Sequence, residues 1–278
     1  MNRTTSAAAS ALSLLTALSL TACGGADTDP DGTTGEPRPS TSRAKQLTPA
    51  ERLAKLMLTS ADVTGYKVTE PSEDFVFAKS KDEVTLDKPA CAPLAHAMNQ
   101  LPLEDPEADL TRVVDTDKYG DASSYITLTT YAAGGAQEVM SGLGKAVDAC
   151  GSGFTAKADG TSAYDSVASE EPTDGAGDET VAFNAKMTFQ GASHTLHTQA
   201  TRSGDTVAVH FSVNGFSLAQ GRPSDAKLPA AVVKAQKGNW ADSPTGPWTA
   251  CSHLCPTDLR GSWRNARKAG TVGWALIG

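Results

Sequence analysis

Three consecutive segments between Val181 and Val213 alternate apolar and polar residues, and this pattern constrains the fold more than any other feature. Short Gly-containing pairs, Gly191–Ala192 and Ser203–Gly204, separate the segments and are typical of tight hairpin turns. We therefore predict three antiparallel strands, at 181–189, 193–202 and 206–213. Each strand has one apolar face, which other elements must cover.

Helices are expected to cover this face. Thr48-Pro49-Ala50-Glu51 is a capping box with proline at the first helical position, and it predicts the start of a first helix. Apolar periodicity predicts three further helices, at 93–101, 135–150 and 229–236, and two further strands, at 110–116 and 124–131. The predicted fold class is α+β, a single domain over 48–236 with an antiparallel β-sheet packed against helices.

The N-terminus has the organisation of an export signal. Arg3 precedes an uncharged apolar stretch over 7–20, which is too short to span a bilayer as a helix. The sequence Leu20-Thr21-Ala22-Cys23-Gly24 resembles the lipobox of bacterial lipoproteins. It predicts a signal peptide at 1–22 and lipidation of Cys23, which would place the protein on the extracytoplasmic face of the cell membrane. Residues 23–47 are polar and Gly-rich, and they predict a disordered tether.

The C-terminal segment 237–278 differs in composition from the rest of the chain. It has five basic and two acidic residues and contains all four tryptophans, whereas the whole chain has a net charge of −8. We predict a separate, poorly ordered tail. The acidic balance of the chain gives no electrostatic footprint for nucleic acid, so a nucleic-acid partner is not expected.

Four cysteines remain once Cys23 is assigned to the lipid. Three pairings are possible, and an exported protein favours disulfides. We favour Cys91–Cys150, which would join the second and third helices, and Cys251–Cys255 as a small ring in the tail. A metal held by the second pair is the alternative, but the sequence offers too few ligands, so no metal or other cofactor is predicted.

The predicted turns also place three polar side chains together. If each Gly-containing pair is a two-residue turn, His197 lies opposite His210 and Lys186 lies opposite His197. Adjacent imidazoles can bind a metal or respond to pH. Lys186 disfavours a metal, and no carboxylate completes a ligand set in the sequence, so we expect a solvated polar face. His194 has the opposite parity and is expected on the core side or at its edge.

Several structural motifs resemble one protein family. They are Leu56-x-Leu58-Thr59-Ser60-Ala61-Asp62-Val63-x-Gly65-Tyr66, then Cys91-x-Pro93-Leu94, and then Ala146-Val147-x-x-Cys150 with Phe154 after it. Together with the closing strands and helix, they resemble the extracellular sensor domain of mycobacterial PknH-type receptor kinases and the actinobacterial lipoproteins that carry this domain alone. The resemblance covers roughly 48–236. It implies a helix-backed antiparallel sheet with a cleft and a ligand-sensing role.

The motifs that the sequence contains and lacks favour some classes of function over others. The chain contains no G-x-S-x-G, H-E-x-x-H, Walker or dinucleotide-binding motif, so we do not expect an enzyme. The leading hypothesis is a non-catalytic binding or sensing lipoprotein of the cell envelope, with a small envelope ligand or a protein as partner. The alternatives are an envelope hydrolase with a non-standard active site and a structural or assembly partner.

Overall fold

The fold is built on one large β-sheet. The structure, a computed structural model, describes residues 47–72, 77–174 and 177–241, and these residues belong to one compact unit. In chain order the described strands are β1 Tyr66–Thr69, β2 Thr85–Leu86, β3 Ala108–Thr116, β4 Ser123–Thr130, β5 Phe154–Lys157, β6 Thr161–Ser169, β7 Glu179–Phe189, β8 Ala192–Ser203, β9 Thr206–Val213 and β10 Ser224–Ala226.

The described α-helices are fewer than the strands. They are α1 Pro49–Leu56, α2 Ala92–Ala97, α3 Gly135–Ala149, α4 Gly215–Ala219 and α5 Ala230–Ala241. The predicted capping box opens α1: the Thr48 hydroxyl accepts from the Glu51 N–H at 3.2 Å, and the Glu51 carboxylate accepts from the Thr48 N–H at 2.7 Å. Within the described ranges, no helix is both long and apolar enough to cross a membrane.

The strands form one sheet in the order β1-β3-β4-β9-β8-β7-β6-β5-β2, and all neighbours on this path are antiparallel. The short strand β10 pairs in parallel with the first part of β8, where β9 no longer pairs with it. The antiparallel sheet and its helices are thus confirmed, although strands dominate the fold more than an α+β class suggests.

Each face of the sheet has its own hydrophobic core. On the first face α2 and α3 pack on the sheet, with Leu94, Met140 and Leu143 fully buried. On the second face α1 and α5 pack over β3, β4 and β9, with Leu53 and Val232 fully buried. The amphipathic stripes of the helices supply the apolar area that makes both layers stable.

The disulfide Cys91–Cys150 joins the chain just before α2 to the C-terminal end of α3, and its Cα atoms lie 5.9 Å apart. Both cysteines are fully buried in the first core. The favoured pairing of these two residues is present in the structure. Cys23, Cys251 and Cys255 lie outside the described residues.

Two helix boundaries differ from the prediction. The second helix, expected to reach residue 101, ends at Ala97 because the chain turns into the left-handed region at Gln100, with φ 60°. The last helix continues past the expected end at 236 to Ala241, because Gln236 is buried and holds α5 against the end of α1. Its side chain accepts from the Leu58 N–H at 3.0 Å and donates to the Leu56 carbonyl at 2.7 Å.

Both predicted hairpin turns are displaced by one residue. The first turn is Gln190–Gly191, between the paired residues Phe189 and Ala192, and the second is Gly204–Asp205. Gln190 and Gly191 have φ of 50° and 79°, and Gly204 has φ of 58°. Two-residue hairpin turns need positive φ at both central positions or at the first, and this requirement sets the turns.

Candidate functional site

An open cleft of about 280 Å³ lies on the first face of the sheet, beside the segment that follows α2. Its floor is formed by residues of three adjacent strands: Thr69 of β1, Val113 and Asp115 of β3, and Ser123 and Tyr125 of β4. Residues 70–72, which follow β1, and Gln100, which follows α2, complete the described lining. No helix residue belongs to the described lining, so this cleft lies at the β1 edge of the sheet. The cleft between sheet and helices that the family resemblance implies stays a prediction.

The pleat of the sheet directs these side chains into the cleft. Val113 pairs with Thr69 on one side and with Tyr125 on the other, so all three share one face. Tyr125 and Val113 lie on the same face as the first core, and Tyr125 packs against that core. The cleft is thus the polar continuation of the core towards the β1 edge of the sheet.

Tyr125 forms an aromatic pair with Phe211. The two rings are stacked with centroids 6.1 Å apart and planes 26° from parallel, which fixes the Tyr125 ring. Burial raises the pKa of Tyr125, and the negative charge of Asp115 raises it further. The hydroxyl is therefore protonated at neutral pH, and it forms no hydrogen bond with the residues that the structure describes.

The charges around the cleft are largely paired. Arg112 lies 3.5 Å from the Glu70 carboxylate, and Lys67 lies 2.8 Å from the carboxylate of Asp117. Asp115 lies directly opposite Lys67 in the sheet, and its carboxylate forms neither a hydrogen bond nor an ion pair in the described part of the chain. One carboxylate thus faces the cleft as an available acceptor.

Gln100 has a backbone conformation that is uncommon for its residue type. It follows the end of α2 with φ 60°, and the Leu101 N–H closes the helix by donating to the His96 carbonyl at 3.1 Å. Glycine usually occupies this position, because a Cβ is disfavoured in the left-handed region. The Gln100 side chain has no hydrogen-bond partner among the described residues, so its amide is available to a ligand.

The predicted polar face of Lys186, His197 and His210 is the second candidate site, and its predicted pairing was wrong. His197 lies opposite Asn184 and Ser212, His210 lies opposite Gln199, and Lys186 lies opposite Thr195. The displaced turns shift each partner by two residues. The three side chains still share one face, since a shift of two residues preserves the face on which a side chain lies.

The prediction that this face is exposed to solvent was also wrong for the two histidines, which are largely buried. His210 is only 3% exposed, and neither ring nitrogen has a hydrogen-bond partner among the described residues. Burial lowers the pKa of His210 to about 4, while the Gln199 backbone opposes part of this shift. His210 is therefore neutral at pH 7. Lys186 is exposed, as predicted.

His197 lies between two carboxylates that the sequence did not indicate. Its Nδ1 is 2.8 Å from Glu170, at the end of β6, and its Nε2 is 2.6 Å from Asp225 on β10. A neutral imidazole donates from only one nitrogen, so His197 donates to both carboxylates only when it is protonated. Both nitrogens are occupied, and no cluster of metal ligands is found among the described residues.

The connection between β6 and β7 covers this face and explains its burial. Glu170 contacts His197, the Thr173 N–H donates to the Gln199 side chain at 2.8 Å, and Gly177 lies against the Thr201 side chain on the same face. We call residues 170–174 and 177–178 the covering segment. Lys237 of α5 lies 3.3 Å from Asp174 and joins this segment to the helix.

A serine–histidine contact lies on the opposite face of β8. Ser224 Oγ is 2.9 Å from Nδ1 of His194, but His194 is fully buried and its Nε2 has no partner among the described residues. The predicted core-side position of His194 is confirmed. Because the imidazole does not reach solvent, it has no access to an external substrate.

The structure thus defines a sheet domain that contains a buried disulfide and an open polar cleft. No protein-family model matches the chain, and no curated protein matches it. Among solved structures, the extracellular domain of PknH from Mycobacterium tuberculosis is similar, with a TM-score of 0.44 at 12% identity. The match covers 68% of this chain and 93% of that chain.

A second similar structure is an uncharacterized protein, the Rv0999 ortholog from Mycobacterium smegmatis. Its TM-score is 0.35 at 13% identity, over 67% of this chain and 95% of that chain. Values in this range do not assign a function to the chain.

Proposed function

We propose that this chain is an extracytoplasmic, membrane-anchored protein whose domain binds a small ligand in the cleft beside Tyr125 without catalysing a reaction. The observation that carries the proposal is the set of polar groups in the cleft that no described residue satisfies: the Asp115 carboxylate, the Gln100 amide and the Tyr125 hydroxyl. A concave surface with a few convergent polar groups beside an aromatic ring is typical of small-molecule sites.

Two features support the location. The Cys91–Cys150 disulfide belongs to an oxidising compartment, because cytosolic thiols are kept reduced. The lipobox-like sequence before Cys23 supplies the anchor, and residues 23–47 supply the tether that holds the domain away from the membrane.

The anchor is tested by labelling with a palmitate analogue in cells that express the full chain or its Cys23→Ala variant. We expect label and membrane association for the wild type and loss of both for Cys23→Ala. Cys251→Ala serves as the matched control, because it removes a cysteine that no lipobox-like sequence precedes. Equal labelling of the wild type and Cys23→Ala contradicts the anchor.

Binding is tested by incubating the purified full-length chain with a cell-envelope extract and identifying retained molecules by native mass spectrometry. We expect a retained small molecule that is lost in Tyr125→Ala. Tyr119→Ala is the matched control, since Tyr119 is 90% exposed and does not line the cleft. The same retention by wild type and Tyr125→Ala places the ligand elsewhere, and retention by neither contradicts the binding function.

The hydrolase alternative rests on the contact between Ser224 and His194. Full burial of the imidazole argues against it, because a general base must reach the proton that it abstracts in a bound substrate. Envelope material that is turned over by the wild type and left intact by Ser224→Ala supports the hydrolase instead.

A further inference from the structure

The chemistry of the cleft restricts its ligand, provided that the proposed binding function holds. Two carboxylates around the cleft already form ion pairs: Glu70 with Arg112, and Asp117 with Lys67. Only the Asp115 carboxylate is without such a partner in the described residues, so it supplies the one uncompensated charge among these five groups. An anionic ligand would be repelled by this carboxylate, and a charged ligand of either sign would lose part of its hydration in the cleft. A neutral ligand avoids both costs.

The available polar groups need a ligand that both donates and accepts. The Asp115 carboxylate only accepts, the Gln100 amide both donates and accepts, and the hydroxyls of Thr69 and Tyr125 donate and accept. A planar carboxylate or amide presents two polar atoms side by side. Hydroxyl groups on neighbouring carbons of a ring match this arrangement, because both of them reach one planar group.

The aromatic ring of Tyr125 adds an apolar contact. Phe211 holds the ring in a fixed orientation, and Val113 and Pro71 extend the apolar part of the lining. A ligand whose C–H groups lie on one side and whose hydroxyls lie at its edge satisfies both kinds of surface. The volume of about 280 Å³ lies just below the usual range for ligand pockets, which favours a compact ligand over an extended chain.

We propose that the cleft binds a neutral, polyhydroxylated ring, such as a single sugar unit, with Asp115 and Gln100 engaging its hydroxyls and Tyr125 lying against its C–H face. Each of the three residues has a separate role: acceptor, bifunctional polar group and apolar platform. None of them has a hydrogen-bonding role within the described fold that would compete with the ligand.

The test is a titration of the ¹⁵N-labelled full-length chain, followed by NMR, with three neutral probes and two charged ones. The neutral probes are the methyl glycosides of glucose, mannose and galactose, and the charged probes are choline and inorganic phosphate. We expect at least one glycoside to shift the resonances of β3 and β4 around Asp115 and Tyr125. Neither charged probe should do so at the same concentration.

Variants assign the contacts. Asp115→Ala and Gln100→Ala should each weaken glycoside binding by about tenfold or more, the cost of one lost hydrogen bond to a charged or convergent polar group. Lys186→Ala, on the opposite face, should leave it unchanged. Unperturbed resonances elsewhere in the variants show that the fold is intact. Alanine at position 100 keeps a Cβ in the left-handed backbone region, as glutamine does. Gln100→Ala therefore tests the loss of the amide alone.

Three outcomes overturn the inference. If choline or phosphate binds at Tyr125 and no glycoside does, the ligand class is wrong while the binding function stands. If no glycoside binds, the sugar assignment fails, and the envelope-extract experiment separately decides whether the cleft binds anything. Glycoside shifts that persist unchanged in Asp115→Ala place the sugar away from the proposed contacts and also overturn it.

Discussion

Nδ1 of His197 lies 2.8 Å from the carboxylate of Glu170, which begins the covering segment after β6. On its other side the same ring contacts Asp225 of β10 at 2.6 Å. One imidazole therefore links three separate parts of the chain: the end of β6, the middle of β8 and the short parallel strand. The side chain predicted to face solvent instead joins these parts.

His197→Ala should destabilise the domain by about 2 kcal/mol. The substitution removes two hydrogen bonds to charged groups and leaves Glu170 without its imidazole partner, whereas Asp225 is more exposed and is solvated in part. Urea unfolding at pH 6 measures the change. Lys186→Ala is the matched control, because it removes an exposed side chain from the same face and should change stability by less than about 0.5 kcal/mol. Equal stability of the two variants would show that the contacts of His197 contribute nothing.

His210 should make the domain less stable in acid. Burial lowers its pKa from 6.5 to about 4, so the unfolded chain binds the proton more tightly than the folded one. Its contribution is constant above pH 6.5. As the pH falls from 6.5 to 4, the free energy of unfolding should decrease by about 1.4 kcal/mol per pH unit, to a total of about 3 kcal/mol.

This dependence is measured by urea unfolding of the wild type and His210→Leu between pH 7.5 and pH 4. Carboxylates contribute to acid destabilisation in both proteins, so the difference between the two curves isolates the imidazole. The difference should grow below pH 6.5. Parallel curves would refute the buried, neutral state of His210.

Removing the disulfide should destabilise the domain by about 4 kcal/mol. Cys91 and Cys150 are separated by 59 residues, and a closure of this length restricts the unfolded chain strongly. The double variant Cys91→Ala, Cys150→Ala avoids a free buried thiol, and urea unfolding compares it with the wild type. Reduction of the wild type should give a similar loss. A cost near zero would mean that the core holds the two segments without the bond.

Gln100→Gly should stabilise the fold and weaken ligand binding. Glycine has no Cβ, so it relieves the strain of the left-handed conformation at φ 60°. The greater entropy of glycine in the unfolded chain offsets part of this effect, and we expect the free energy of unfolding to rise by roughly 0.5–1 kcal/mol. Thermal unfolding measures the gain. Gln100→Ala retains the Cβ and should leave stability within about 0.5 kcal/mol, while both variants lose the amide from the cleft. A destabilised Gln100→Gly would indicate that the side chain supports the fold rather than a ligand.

The sequence by itself determined much of the local structure. The capping box at Thr48 and Glu51 forms as predicted, and the apolar stripe of α3 packs on the sheet with Cys150 directed into the core. Alternation also assigned every residue of β7, β8 and β9 to the correct face, because successive side chains of a strand point to opposite sides. Local interactions of a few residues are sufficient for these features.

Only the tertiary structure decided what those faces meet. The requirement for positive φ at Gln190, Gly191 and Gly204 displaced both turns by one residue, which moved each cross-strand partner by two and left the faces unchanged. The period of a strand fixes the face of a side chain but not its partner. The burial of His197 and His210 depends on the covering segment and α5, which approach from elsewhere in the chain. The cleft likewise exists only where β1, β3, β4 and the chain after α2 meet.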